Sequence, residues 1–164
     1  MLDLSDTPTH STEKFVHFSQ QERQSWLSVL AKAVPDDLLC LWDKLSAPDA
    51  VILRPSEVGM VMVRGRAGGS GDAFNLGEMT VTRCAVRLET GETGIGYVAG
   101  RDKRHAHAAA VLDAMMQSAV LRAEAERLVV APLRAAARSG ADAVSRKAKA
   151  TQVEFFTMVR DRKA

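Results

Sequence analysis

Apolar residues recur at helical spacing early in the chain. Trp26, Leu27 and Leu30 do so within SQQERQSWLSVLAKA, and Leu38, Leu41, Trp42 and Leu45 within PDDLLCLWDKL. This recurrence predicts two amphipathic helices, with both tryptophans as core anchors. Ser19 with Glu22 three residues on is a capping-box start for the first helix, and Pro35 suits the opening turn of the second. The period then changes. VGMVMVRGR (58–66) and EMTVTRCAVRL (78–88) are rich in β-branched residues, and IGYVA (95–99) follows the turn cluster ETGETGIG. These runs predict an antiparallel meander, preceded by a short strand over 50–53 that Pro55 stops. Helical composition returns in RDKRHAHAAAVLDAMMQ, with Ala108, Leu112 and Met115 or Met116 on one side. It continues into an alanine-rich last third, which Pro132 should kink or divide and Ser139-Gly140 should break. The expected class is α+β: N-terminal helices, an antiparallel β-meander, then C-terminal helices and a partner-docking tail. We divide the chain into a flexible tail (1–18), an α+β core domain (19–138) and a C-terminal interaction segment (139–164).

Composition changes this picture in one respect. Aromatics make up 5% of the 164 residues, and alanine dominates the last third. Alanine buries little area, so the core there should be thin and a partner should supply the missing surface. The net charge of +2 is too balanced for a nucleic-acid footprint. Cys40 and Cys84 stand alone, which argues against a disulfide framework or a zinc site. The polar, acidic start is no signal peptide, and no apolar run approaches membrane-spanning length. A cytoplasmic protein is expected.

Two stretches carry candidate chemistry. The first is RGRAGGSGDAFNLGEMTVTRC (64–84), where Gly68, Gly69 and Gly71 crowd a connection of about ten residues between strands. Glycine lets backbone amides turn toward an anion, and Arg64 and Arg66 stand at the mouth. A register placing Arg66 opposite Glu78, Met62 opposite Thr82 and Val58 opposite Val86 gives one face, polar beside the loop and apolar away from it. The same residues also read as an exposed ion pair on a loose hairpin; both readings stand. GK[ST] is missing, so this is not a Walker loop.

The second stretch is GRDKRHA (100–106), a strand-to-helix junction with Asp102 as N-cap. Arg101, Lys103, Arg104 and His105 then gather at the positive end of a helix dipole, where cations are unfavourable by about 0.3–1 kcal/mol each. A bound anion would reverse that sign, and the balance favours an anion over solvent screening. His105 and His107 diverge by roughly 200° on a helix, so they do not share a metal, and a solvated histidine is expected. Near the chain end, Phe155, Phe156, Met158 and Val159 form an apolar segment expected to dock on another chain.

Three of these motifs, MVRGRAGGSG, FNLGEMTVTRC and YVAGRDKRHA, together with KATQVEFFTMVR, closely resemble the PhnG family. These are the G subunits of the bacterial carbon–phosphorus lyase system. The resemblance covers roughly residues 20 to 160. It implies a cytoplasmic core complex with the H, I and J subunits (PhnH, PhnI, PhnJ). With H, I and L (PhnL), the family makes α-D-ribose 1-methylphosphonate 5-triphosphate from ATP and methylphosphonate, releasing adenine. ATP and an alkylphosphonate are then substrates of the complex, and no cofactor is expected on this subunit alone. The family supplies no secure catalytic residue to carry over. If a ligand lies here, Arg64, Arg66, Arg101, Lys103 and Arg104 would offset phosphate charge, and Glu78 or His105 would be the candidates for proton handling. The alternatives are a non-catalytic scaffold subunit and, more remotely, a small nucleic-acid-binding domain. No iron–sulfur cysteine set is present, so the radical step of the pathway belongs to another subunit.

Overall fold

The computed structural model describes residues 18–66 and 71–152. The N-terminal tail to residue 17, Gly68, Gly69 and the segment with Phe155, Phe156, Met158 and Val159 lie outside the described residues. Helix α1 (Gln20–Lys32) begins with the expected capping box: Ser19 and Glu22 each accept the other's backbone N–H. Helix α2 (Pro35–Trp42) opens on its proline. Trp26, Leu30, Leu38 and Leu45 are buried. Trp42 is only half-buried and forms the wall of a surface groove, a correction to its expected place as a core anchor.

Strands β1 (Ala50–Gly65), β2 (Phe74–Leu88) and β3 (Thr93–Ala99) form an antiparallel sheet in that order, the expected meander. Pro55 does not stop β1. The strand lies at the sheet edge, where a missing N–H is tolerated, and its register shifts just before the proline, between Ile52 and Arg54, and again across it, between Arg54 and Glu57. The hairpin register also differs from expectation. Met62 stands opposite Glu78, Met60 opposite Thr80 and Val58 opposite Thr82. Each partner is four residues from the expected one; the slip is even, so the faces are preserved. Its cause is that β2 starts at Phe74: Phe74, Asn75 and Leu76 alternate apolar and polar and extend the ladder.

β3 pairs with β2 only as far as Val81–Ala99, so among the described residues the hairpin beyond that pair has two strands. Met60, Met62, Phe74 and Leu76 are exposed there, Met60 by 67%. Behind the three-stranded part runs helix α3 (Lys103–Gln117), buried almost all round rather than along one side. Sheet and helix touch through small residues. A Cβ on Gly96 would lie 1.9 Å from the Ala106 carbonyl oxygen, and one on Gly94 equally close to that of Ala110. The alanines of α3 therefore mark close approach, and larger side chains from α1, α2 and β2 fill the remaining volume.

Asp113 of α3 is fully buried and joins three elements. Its carboxylate accepts from Arg23 Nη2 at 2.7 Å, from Trp26 Nε1 at 2.9 Å and from the backbone N–H of Ile95 at 2.9 Å. Past α3, helix α4 (Arg122–Ala125) widens into a π-helical turn (Glu126–Val130) and continues as α5 (Ala131–Ala150). Pro132 can donate no N–H to the preceding turn, which accounts for the widening. Ser139-Gly140 does not break the helix, contrary to expectation. A lone glycine costs only about 1 kcal/mol among good helix formers, and the expected 138/139 boundary falls inside α5.

Removing the carboxylate leaves Arg23 and Trp26 facing a void. Asp113→Ala should therefore destabilise the full chain by about 3–5 kcal/mol in denaturant unfolding. Gly96→Ala should cost about 3 kcal/mol or more by forcing β3 off α3, whereas Gly91→Ala, with open space around it, pays only its backbone strain of about 1–3 kcal/mol.

Candidate functional site

The junction between β3 and α3 is held from several sides. Gly100, at φ +93°, turns the chain. Its N–H donates to Thr80 O at 2.9 Å, and its carbonyl accepts from the buried Thr82 hydroxyl at 2.8 Å. Asp102 caps α3, accepting from the N–H groups of Arg104 and His105 at 2.9 and 3.0 Å. The Ser56 hydroxyl donates to Lys103 O at 3.1 Å and ties β1 to the same turn. Arg101, Lys103 and Arg104 all project into solvent from this frame. Among the described residues neither Arg101 nor Lys103 has a carboxylate within ion-pair distance. Arg104 has a loose one, Asp43 at 3.9 Å.

Beside this cluster lies a groove of about 230 Å³ walled by Leu39, Trp42, Lys103, Arg104 and His107. It offers two cations, an indole face and an imidazole, a set suited to an anion with a flat or apolar part. Asp102 already occupies the first amides of α3, so charge recognition here rests on side chains.

His105 is not part of this surface. It is buried, and its Nε2 donates to Leu30 O at 2.9 Å, while Nδ1 has no partner among the described residues. The solvated histidine expected from the sequence is thus a core histidine fastening α3 to α1. His107, on the opposite side as the helical angle requires, reaches the groove, its Nδ1 3.9 Å from Cys84 Sγ.

The glycine hairpin is a separate place. Arg64 and Arg66 are exposed at its end, and Arg64 donates to Ala73 O at 3.2 Å. Gly71 has φ +90°. Glu78 is exposed opposite Met62, so the expected Arg66–Glu78 pair is not formed. Arg64 stands opposite Asn75, while Thr80 touches Gly100. Five strand residues separate these points, about 17 Å. The fold therefore does not bring the two basic clusters into one pocket.

Other features went unnoticed in the sequence. Glu57 bonds Arg83 at 2.7 Å and Arg54 at 2.6 Å on the sheet, and the Arg83 hydrogen bond, aided by Arg54, holds its carboxyl below the usual range. Another groove, about 650 Å³ between α1 and β3, has Arg23 as its charged group, and Arg23 is committed to Asp113. The helical spacing singles out Trp42, but only packing shows that it faces this groove rather than the core. Among the described residues no helix is long and apolar enough to cross a membrane, and no cluster of three potential metal ligands occurs.

Comparison with known families bears on this arrangement directly. The family model described as "Phosphonate metabolism protein PhnG" matches residues 21–161. The chain belongs to the PhnG family. A relative from Rhizobium meliloti (strain 1021), alpha-D-ribose 1-methylphosphonate 5-triphosphate synthase subunit PhnG, is 46% identical over 143 residues, covering 85% of this chain and 89% of the relative. The family match covers the junction, the groove and the described part of the hairpin.

The two histidines should separate in a stability measurement. His105→Ala opens a cavity and strands the Leu30 carbonyl, at about 2–4 kcal/mol in denaturant unfolding. His107→Ala, at the groove, should cost about 1 kcal/mol or less.

Proposed function

We propose that this chain is the G subunit of an α-D-ribose 1-methylphosphonate 5-triphosphate synthase and that its α3 junction borders the polyanionic ligand. The observation that carries the reading is the 46% identity, over most of both chains, to a subunit of that synthase. In this reaction a phosphonate oxygen bonds to C1′ of the ATP ribose as the bond from C1′ to adenine breaks, and adenine leaves. Substrate and product both carry a triphosphate, and charge-assisted hydrogen bonds are what such a group needs. Arg101, Lys103 and Arg104 supply cations on a frame fixed by Asp102, Gly100 and Thr82, and Trp42 supplies an adjoining flat face. Arg64, Arg66 and the hairpin glycines would then meet a distant part of the ligand or a partner. Glu78 is exposed on the hairpin and does not line this groove, and His105 is enclosed, so neither is assigned a proton-handling role. The chain would work in the cytoplasm as part of an assembly with PhnH, PhnI, PhnJ and PhnL, and not alone.

A second reading, a scaffold without a part in the chemistry, is favoured by the bare apolar hairpin around Met60, Met62, Phe74 and Leu76. An exposed patch of this kind marks a protein contact.

Lys103→Ala and Arg104→Ala in the assembled synthase separate the two. A charged hydrogen bond contributes about 1.5–3 kcal/mol, so each variant should slow adenine release by about tenfold or more with subunit stoichiometry unchanged. Normal rates from an intact complex would leave the scaffold reading, and loss of assembly would make the junction a partner grip.

A further inference from the structure

The groove beside the α3 junction is uneven in what its walls can do. Leu39, Trp42, Lys103, Arg104 and His107 line it. Lysine and arginine side chains only donate hydrogen bonds, the indole only donates, and leucine does neither. Asp43, which meets Arg104 at 3.9 Å, is not in the walls. Among the described residues, the His107 imidazole is therefore the one lining side chain able to accept.

Which of its nitrogens accepts is set from behind by Cys84. That cysteine is buried, and its thiol donates to Arg54 O at 3.4 Å. A carbonyl can only accept, so the single thiol proton is engaged there. His107 Nδ1, 3.9 Å from the same sulfur, meets lone pairs and is the nitrogen that carries a proton. In the neutral ring, the form an ordinary imidazole takes above roughly pH 7, Nε2 is left as an acceptor. It has no hydrogen-bond partner among the described residues.

Size and shape narrow the occupant. At about 230 Å³ the groove is smaller than the roughly 300–1,000 Å³ of a whole small-molecule site, so it takes one part of a ligand. An indole beside a leucine suits a flat ring, but stacking alone does not tell one base from another. Identity has to come from the hydrogen bond. An acceptor here selects a base that presents a donor. The exocyclic amino group of adenine is such a donor, where guanine carries an oxygen. Lys103 and Arg104 on the same groove suit the phosphates that the base brings with it.

We propose that this groove seats the base of an adenine nucleotide, with Trp42 against its ring and His107 Nε2 accepting from its amino group. His107 is then a specificity-determining residue, and Cys84 is the positioning residue behind it. The inference rests on the reading of the junction as the border of the ATP site and adds which part of the nucleotide lies where.

The test uses the assembled synthase at about pH 8, where an ordinary imidazole is neutral. ATP competes for binding with purine riboside triphosphate, which lacks only the amino group. One neutral hydrogen bond corresponds to about threefold to tenfold in affinity, and the unaltered complex should prefer ATP by that factor. His107→Phe keeps a flat ring without the acceptor and should bind both nucleotides alike, with subunit stoichiometry unchanged. His107→Gln, whose amide oxygen can stand near the place of Nε2, should restore part of the preference. Cys84→Ala releases the tautomer and should lower the preference while both nucleotides still bind. An azido-adenosine triphosphate should photolabel the α2 peptide that carries Leu39 and Trp42. If the unaltered complex releases no adenine from ATP and methylphosphonate, the subunit reading falls and this inference with it. If adenine is released but ATP is not preferred, or His107→Phe keeps the full preference, the inference alone is overturned. Label confined to another subunit overturns it as well, as does loss of assembly in both His107 variants, which would make the groove a partner grip.

Discussion

A carboxylate removed from water must be paired, and Asp113 shows how much of a small domain can be organised around that requirement. It lies in the middle of α3 with no exposed surface, and its oxygens are taken by a guanidinium and an indole from α1 and by an amide from β3. Burying the charge is not in itself a source of stability, because desolvation offsets most of the attraction. What it supplies is selection: any packing that moves α1 or β3 strands a charge in the interior. Ile95 N–H points outward from the free edge of β3, and its bond to Asp113, with Gln117 Nε2 on Thr93 O, occupies groups that would otherwise invite another strand. The site inherits this rigidity, since the junction that displays Arg101, Lys103 and Arg104 begins where β3 ends.

The small-residue contact between β3 and α3 works with the same constraint. Gly94 and Gly96 bring the strand onto the backbone of the helix, so the sheet reaches Asp113 through a main-chain amide. A larger residue would lift β3 away and break that bond. Alanine in α3 and alanine in α5 therefore mean different things. In α3 it is consumed inside the fold; in α5 it is left uncovered.

How far this could be read from the sequence follows from which signals are local. Ser19 with Glu22, Pro35, Asp102 and the change of period from four to two are local, and they placed both N-terminal helices, the meander and the start of α3. Pro55 and Ser139-Gly140 were misjudged because breakers act through context: an edge strand tolerates a proline, and a long alanine-rich helix tolerates a glycine. The register missed because Phe74 to Leu76 alternate like a strand yet sit beside glycines. For the site, Arg101, Lys103 and Arg104 were legible through the conflict between their charge and the helix dipole. His105 was not, since its burial depends on Leu30, 75 residues away. Nor was Asp113, a charged residue inside an apolar run whose partners lie 18 to 90 residues distant.

The placement of exposed surface also bears on how labour is divided within the chain. The three-stranded part of the sheet, α1, α2 and α3 satisfy one another, and the charged junction sits on that satisfied body. Among the described residues two extensions are left largely exposed: the two-stranded hairpin with its methionines, and α5 with its alanines and cations. An isolated two-stranded ribbon is marginal in water, and so is a free helix of this length. Both persist here by continuity with the body, and both gain by being covered. The covers need differ in character. Methionine adapts to irregular apolar surfaces, whereas small residues such as glycine and alanine leave room for a close neighbour. A chain that leaves two such unlike surfaces exposed among its described residues, beside a basic junction, has the surface character of a subunit rather than of a self-contained domain.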